Sequence, residues 1–502
     1  MSTSIHSATP RFGSHSAIPY LTGSALVAVV CLLSAQDWRA GLTLAVVSVF
    51  IVTVSVKLEW GPYCIIIFVV VLIDGWNANR SPDQVPFRLS MGHIYIMEFA
   101  VYGLLAAYLL RRALDGSSAL SGWFVQTPLD KPLKFLALCM PLFGCYGLIL
   151  GNPAQDAFGY YEWRCLFLAI VFFFLLTSIL TTRQKALDFV QWFLILDTLI
   201  ALFQLALYFL RIQGPLPLVL GTGPVGEGPE NYMFAFASLA AISWLLFAGK
   251  ESNGKRAFMY LAALAPLLNI ALSEKRTAQL GFVVGMAVLI WRIPPKRRIR
   301  LVTGLMGGLA AVVLLVSAFG FRTAGGGLGK SASRYVEVIQ LVKNPAQVTS
   351  IAGETVLFHV FDLVDSFNSI RLRPILGYGF GGMFVRDYTG MVGGADIQPG
   401  IVHDQYLDFW LKMGLVGLAA FLWLLVSFFR SARSAIPKVP AGEYDSIALG
   451  LYAAVWGDIA VELWGPGWIG NTKMPIVIMM SFALVICLLR KRTLTRDRNA
   501  LA

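Results

Sequence analysis

Charge is scarce in this chain of 502 residues: Asp, Glu, Lys and Arg make up 14% of it, against 57% apolar residues. A soluble protein carries roughly 25% charged residues to solvate its surface. Soluble, disordered and collagen-like readings are therefore excluded. Acidic residues are scarcer than basic ones, 28 against 40, which leaves a net charge of +12. In a soluble chain that excess would suggest nucleic acid. Here the basic residues sit in short clusters between apolar runs, so membrane topology explains them and no nucleic-acid partner is expected. Cysteine is limited to Cys31, Cys64, Cys139, Cys145, Cys165 and Cys487. All six lie in or beside apolar segments without metal-ligand spacing, so neither a disulfide nor a metal is expected. The N-terminus lacks a charged stretch leading into a short apolar core and a cleavage site, and its first apolar run reads as a retained span.

What the sequence has in abundance is long apolar runs, with a mean hydropathy of +0.69. A membrane-crossing helix needs about 20 such residues. The runs, from 17–36 at the start through 300–319 to 472–490, predict an all-α integral membrane protein with about fourteen spans. An even count puts both termini on one side. With those termini cytoplasmic, roughly 24 of the 40 Lys and Arg fall inside. The organisation expected is an N-terminal bundle over 1–319, a large periplasmic loop over 320–402, C-terminal spans over 403–490 and a basic cytoplasmic tail over 491–502. A loop of about 80 residues is too long to be a mere connector.

Within the loop, Tyr335, Val336, Ile339 and Val342 recur at helical spacing, as do Val356, Val360, Val364 and Phe367. They predict two amphipathic helices lying against the membrane face, with a lid packed on the bundle as the bland alternative. Residues 324–331 read AGGGLGKS, close to a nucleotide-binding glycine loop. That reading fails on context, because the segment follows an apolar span, begins on alanine and lies outside the cytoplasm. A hinge at the loop entrance is the better reading.

The segment 371–418 carries the strongest signal, a Pro/Gly-rich turn leading into a helix that starts at the membrane surface. His403 stands at that start, and His403, Leu407, Trp410 and Gly414 share one face expected to pack inward. A histidine at the water boundary can accept a proton near neutral pH. The bland alternative, a polar cap with no chemistry, stays open from composition alone. Asp197, with Gln191 and Gln204, lies deep in an apolar run, where a carboxylate is either functional or held by hydrogen bonds.

These residues resemble a known signature. Pro374, Gly377 and Gly379, then His403, Asp404 and Leu407, then Gly414, Leu415 and Gly417 are similar to the Pro-x-x-Gly-x-Gly, His-Asn-x-x-Leu and Gly-Leu-x-Gly elements of the bacterial O-antigen ligase and polysaccharide polymerase superfamily. The likeness is close over about 300–430. Upstream, Ser273 and Arg276 resemble its Ser-x-x-Arg segment.

The resemblance implies an inverting, metal-independent membrane glycosyltransferase of the inner membrane, with no cofactor. The donor implied is an undecaprenyl-pyrophosphate-linked glycan, and the acceptor a second glycan or lipid A-core, with room for a chain-length regulator alongside. His403 would assist deprotonation of the acceptor. Arg276 would face the pyrophosphate, since a guanidinium grips phosphate in pairs of hydrogen bonds. Two positions depart from the family. Asp404 replaces the usual asparagine, and His359 stands where an arginine is usual, so Arg334, Arg371 and Arg373 are the substitute phosphate ligands. Arg164 is a further candidate, and Tyr406 and Trp410, with Tyr378 and Tyr388, are candidate sugar platforms.

The extra spans favour a polymerase of exopolysaccharide or O-antigen over an O-antigen ligase. A transporter of polysaccharide or lipid-linked glycan, using Asp197, Glu98, Asp458 and Glu462 as an ion path, is the alternative of another class. It lacks a visible internal repeat.

Overall fold

A computed structural model describes residues 38–72, 90–91, 94–114, 123–209, 230–249, 251–273, 276–294, 298–299, 303, 354–386, 396–399, 402, 404–438, 440, 442–463, 468 and 473–500. Among the described residues the α-helices follow in this chain order. They are α1 Trp38–Val56, α2 Gly61–Ile67, α3 Ile96–Leu114, α4 Asp130–Ile149, α5 Ala154–Ala157, α6 Cys165–Ile179 and α7 Arg183–Phe209. Then follow α8 Glu230–Phe247, α9 Asn253–Leu272, α10 Arg276–Trp291, α11 Glu354–Leu372, α12 Gln405–Ala435, α13 Glu443–Val461 and α14 Met474–Ala500. Two short hairpins join them: Ser90–Met91 with Ile94–Tyr95, and Met383–Arg386 with Asp396–Pro399, the latter pairing Met383 with Pro399.

Among the described residues five helical stretches are long and apolar enough to cross a membrane: Asp130–Ile149, Ala154–Ile179, Arg183–Ala206, Asn253–Leu272 and Gln405–Ala435. Shorter apolar helices accompany them, including Asn231–Phe247 and Arg276–Trp291. The expected spans at 17–36 and 300–319 lie outside the described residues, save residue 303. Apolar side chains remain exposed in stripes around the bundle, such as Phe135, Leu138 and Leu142 on α4 and Leu422, Trp423 and Val426 on α12. A helix satisfies its own backbone polar groups, so such a stripe can face lipid. The protein is an α-helical membrane protein.

The centre of the bundle is α13, whose residues are buried almost throughout. Apolar burial alone does not hold helices together in lipid, where close backbone approach matters more. Small residues provide it here. A Cβ on Gly450 would lie 2.5 Å from Cα of Ala240 in α8, and one on Gly285 of α10 would lie 3.0 Å from the Ala453 carbonyl oxygen. Gly457 meets Gly281 of α10 backbone to backbone.

The polar contacts sort into two sets that mark the two ends of the bundle. At one end Lys255 pairs with Glu443 at 2.6 Å, Arg183 with Asp445 at 3.4 Å and Lys185 with Glu59 at 2.7 Å. There too Arg490 donates to the carbonyls of Thr177 and Thr181. This end gathers the basic clusters. The other end carries the starts of α10 and α12, the end of α13 and the turn after α11.

Helix α11 forms over the second predicted amphipathic stretch, and of the two arrangements expected the described side chains do not show the apolar stripe packed on the bundle. Asp362, Ser366 and Ile370 are buried, whereas Val364 and Phe367 are 50% and 42% exposed. The polar face packs on α12, and the apolar stripe is turned outward, where a bilayer surface can take it. The first predicted amphipathic stretch, around 335–342, lies outside the described residues.

Candidate functional site

Helix α12 is broken near its start. Gly414 has φ +61° and ψ −163°, a conformation that costs an L side chain dearly. A break in a helix leaves carbonyls and amides without their usual partners, and buried ones must be paired elsewhere. The 374–380 turn supplies the partners. Tyr378 N–H donates to the Leu411 carbonyl at 2.8 Å and Gly379 N–H to the Lys412 carbonyl at 2.9 Å. In return the Pro374 carbonyl accepts from Leu415 N–H at 3.0 Å and from the Trp410 indole at 2.9 Å. Gly379, at φ +72°, rests on the backbone of Gly147 in α4, with no room for a side chain. Asn152, just past α4, donates to the Tyr378 and Phe380 carbonyls at 2.9 and 3.0 Å. The Pro-x-x-Gly-x-Gly and Gly-x-x-Gly elements are thus two halves of one joint.

His403 itself lies outside the described residues, but both of its neighbours are held. Val402 is buried and its N–H donates to Asp408 Oδ1 at 3.3 Å. Asp404 is the N-cap of α12, its Oδ1 accepting from Leu407 N–H at 2.9 Å. Burial pushes the Asp404 carboxyl above the ordinary carboxylate range, against the pull of the Leu407 and Tyr406 amides, with Asp362 adding like charge.

The inward face of α12 is only partly the one expected: Gly414 is buried, but the rest of the face is shifted. Gln405, Asp408, Phe409 and Lys412 are buried, while Leu407 and Trp410 are half-buried against Ile370, Val402 and Leu411. The shift follows from the docked turn, which takes Trp410 as its hydrogen-bond donor and draws that face toward the loop.

The start of α12 is fixed on the end of α13. Gln405 N–H donates to the Glu462 carbonyl at 2.8 Å and the Tyr406 hydroxyl to the Ile459 carbonyl at 3.1 Å. Trp468 N–H donates to Gln405 Oε1 at 2.8 Å. Arg276 is the first residue of α10, half-buried, in a hairpin closed by Gln279 Nε2 donating to the Ile270 and Ser273 carbonyls. The next residue, Thr277, is hydrogen-bonded to the Tyr232 hydroxyl at 2.6 Å. Gly281, little more than a turn further along α10, packs on Gly457 and Val461 of α13. The end of α13 therefore serves as a common post for the helix that Arg276 begins and the helix that His403 precedes.

The other sequence candidates fall into three groups. Arg164 is committed to Glu98, with Nε and Nη2 donating to Oε1 at 2.9 and 2.7 Å and Nη1 to the Phe158 carbonyl at 3.2 Å. Arg371 and Arg373 are exposed and stack on Phe367 and Tyr378 at 4.7 and 5.0 Å. The backbone of His359 lies in α11, while Arg334 and Tyr388 lie outside the described residues. Among the described residues no three His, Cys, Asp or Glu side chains gather as metal ligands.

Sequence reasoning passed over one cluster. Lys412, 2% exposed, places its ammonium 2.8 Å from Glu162 Oε2 and 3.3 Å from Asp408 Oδ1. Glu162 also accepts from Gly381 N–H at 3.4 Å. The signal was present in the apolar run: Asp408 and Lys412 stand four apart, one turn of helix, where unpaired charge is costly.

Residues 261–422 match the family model described as O-antigen ligase. The chain is 23% identical over 252 residues to a protein of Rickettsia felis named "putative polysaccharide ligase". It is likewise 23% identical over 253 residues to a protein of the same description from Rickettsia prowazekii. Each alignment covers 48% of this chain, and the chain spans only 56% of the length of these curated relatives.

Proposed function

We propose that this chain, a member of the O-antigen ligase superfamily, transfers a glycan from a lipid pyrophosphate carrier to an acceptor hydroxyl, as a ligase does. One observation carries the reading: the matched stretch 261–422 contains Arg276, the 374–379 turn and the first part of the helix that follows His403. Those are the parts that gather at one end of the bundle. The family's description and the names of the relatives favour the ligase over the polymerase that the number of apolar runs suggested. The acceptor in this reading is lipid A-core.

The chemistry assigned to the site is a displacement with inversion. The acceptor oxygen attacks the anomeric carbon of the donor sugar, and the bond from that carbon to the pyrophosphate oxygen breaks. The lipid pyrophosphate leaves with the electron pair, and the acceptor proton passes to His403. Arg276, with Arg371 and Arg373 at the loop surface, offsets the charge that develops on the leaving group. Pyrophosphate is a good leaving group, so the reading needs neither metal nor cofactor. Arg164, whose donors are taken by Glu98, is assigned to anchoring the start of α6.

The end of the bundle poor in basic clusters is assigned to the periplasm and the opposite end, with both termini, to the cytoplasm. Residues 1–319 and 403–490 then form the inner-membrane bundle of about fourteen spans. Residues 320–402 lie over its periplasmic end, and 491–502 form a basic tail. Substitution separates the two site roles. His403→Ala is expected to abolish transfer at unchanged protein level, and Arg276→Ala to lower kcat/KM for the donor greatly. Normal turnover in the first variant removes the base from the mechanism, and full activity with wild-type donor affinity in the second moves the phosphate site elsewhere.

A further inference from the structure

The buried ammonium of Lys412 stands where three separate pieces of chain meet. Its own carbonyl holds Gly379 of the docked turn, its Nζ holds Glu162 in the turn Tyr160–Arg164 before α6, and the same Nζ holds Asp408. Asp408 in turn accepts the amide of Val402, the residue before His403. An apolar set of similar volume would serve packing at least as well, because desolvating charges cancels much of what their pairing provides. What an apolar set would lack is direction: a carboxylate fixed by an ammonium presents its oxygen to one amide from one angle.

We propose that Lys412 and Asp408 are positioning residues that hold Val402, the residue before His403, and couple it to the glycine turn above the broken helix. The inference rests on His403 acting as the base. Asp408 shares one oxygen, Oδ1, between Lys412 and the Val402 amide. Removing either partner frees Val402, and with it the chain leading into His403, to shift, and a misplacement of about 1 Å can cost on the order of 100-fold in rate.

The test uses the full-length protein in detergent or nanodiscs, with lipid-pyrophosphate-linked glycan as donor, and reads kcat and donor KM separately. Asp408→Asn keeps an oxygen for the Val402 amide and is expected to stay within a few-fold of wild type. Asp408→Leu, similar in size but without the acceptor, and Lys412→Met are expected to lose about 10- to 100-fold in kcat with donor KM within twofold. The proposal is overturned if the folded Leu and Met variants keep wild-type kcat, if Asp408→Asn is as damaged as Asp408→Leu, or if kcat falls only in proportion to folded protein. Should neither the Leu nor the Met variant fold, Lys412→Arg decides. It keeps the charge but moves it, so lowered kcat in a folded protein supports positioning and unchanged kcat overturns it. His403→Ala run in parallel separates the two readings. An active His403→Ala removes the base assignment on which the proposal rests, whereas an inactive His403→Ala beside fully active Leu and Met variants sinks the positioning role alone.

Discussion

Adding one methyl group at Gly457 should damage both stability and donor use, whereas adding it at Gly254 should do neither. The Gly457 Cβ would fall deep inside van der Waals contact of the Gly281 carbonyl, and no side chain can rotate out of the way because the obstacle is backbone. Helices α10 and α13 must part. Overpacking of this kind typically costs about 1–3 kcal/mol, and parting these helices also shifts the start of α10, where Arg276 stands. Gly254, within α9, has nothing within 4 Å of its would-be Cβ. Alanine there should be neutral or stabilise by roughly 0.5–1 kcal/mol, the ordinary gain over glycine within a helix. Thermal unfolding in detergent should therefore show Gly457→Ala melting several degrees below wild type and Gly254→Ala at or above it. Steady-state kinetics should show a raised donor KM for the first alone. Equal melting and equal KM for the two variants would refute the argument that α13 is the post positioning Arg276.

Three further outcomes are expected. Asn152→Ala removes both donors that hold the Tyr378 and Phe380 carbonyls and should lower stability by about 1–3 kcal/mol in the same melt; no change would mean the turn is held by α12 alone. Gly414→Ala forces a side chain against the Ile375 carbonyl at positive φ, so both melting temperature and transfer should drop, and a variant indistinguishable from wild type would show that the helix is not broken there. Asp404 titrates with its folded pKa raised by burial, so its contribution is full below the unfolded value near 3.9 and is lost as pH rises through the folded value. Asp404→Asn, which keeps the cap, should therefore be more stable than wild type at neutral pH and lose that advantage as pH falls toward about 4, and an advantage that grows on acidification would contradict the burial argument.

The helices were legible in the sequence because apolar runs bounded by Gly, Pro and basic clusters report directly on membrane spans. Arg276 at the start of α10 was legible for the same local reason, whereas the polar cap considered at His403 is supplied by Asp404. The break at Gly414 was not: an apolar run reads as continuous helix, and only the 374–379 turn, far off in sequence, makes the break affordable by pairing the freed carbonyls. Of the Lys412 cluster only the Asp408–Lys412 spacing was legible, because the third partner, Glu162, lies 250 residues before Lys412. Which face of α11 packs on α12 was hidden, because apolar spacing alone does not say whether the stripe turns to the core or to lipid.

The most direct test of the account is a transfer assay on purified protein in detergent, without metal or nucleotide, given lipid-pyrophosphate-linked glycan and lipid A-core together. The account predicts capping of lipid A-core in a single step, dependent on His403. A ladder of ever longer lipid-linked glycans, or capping that persists in His403→Ala, would contradict it.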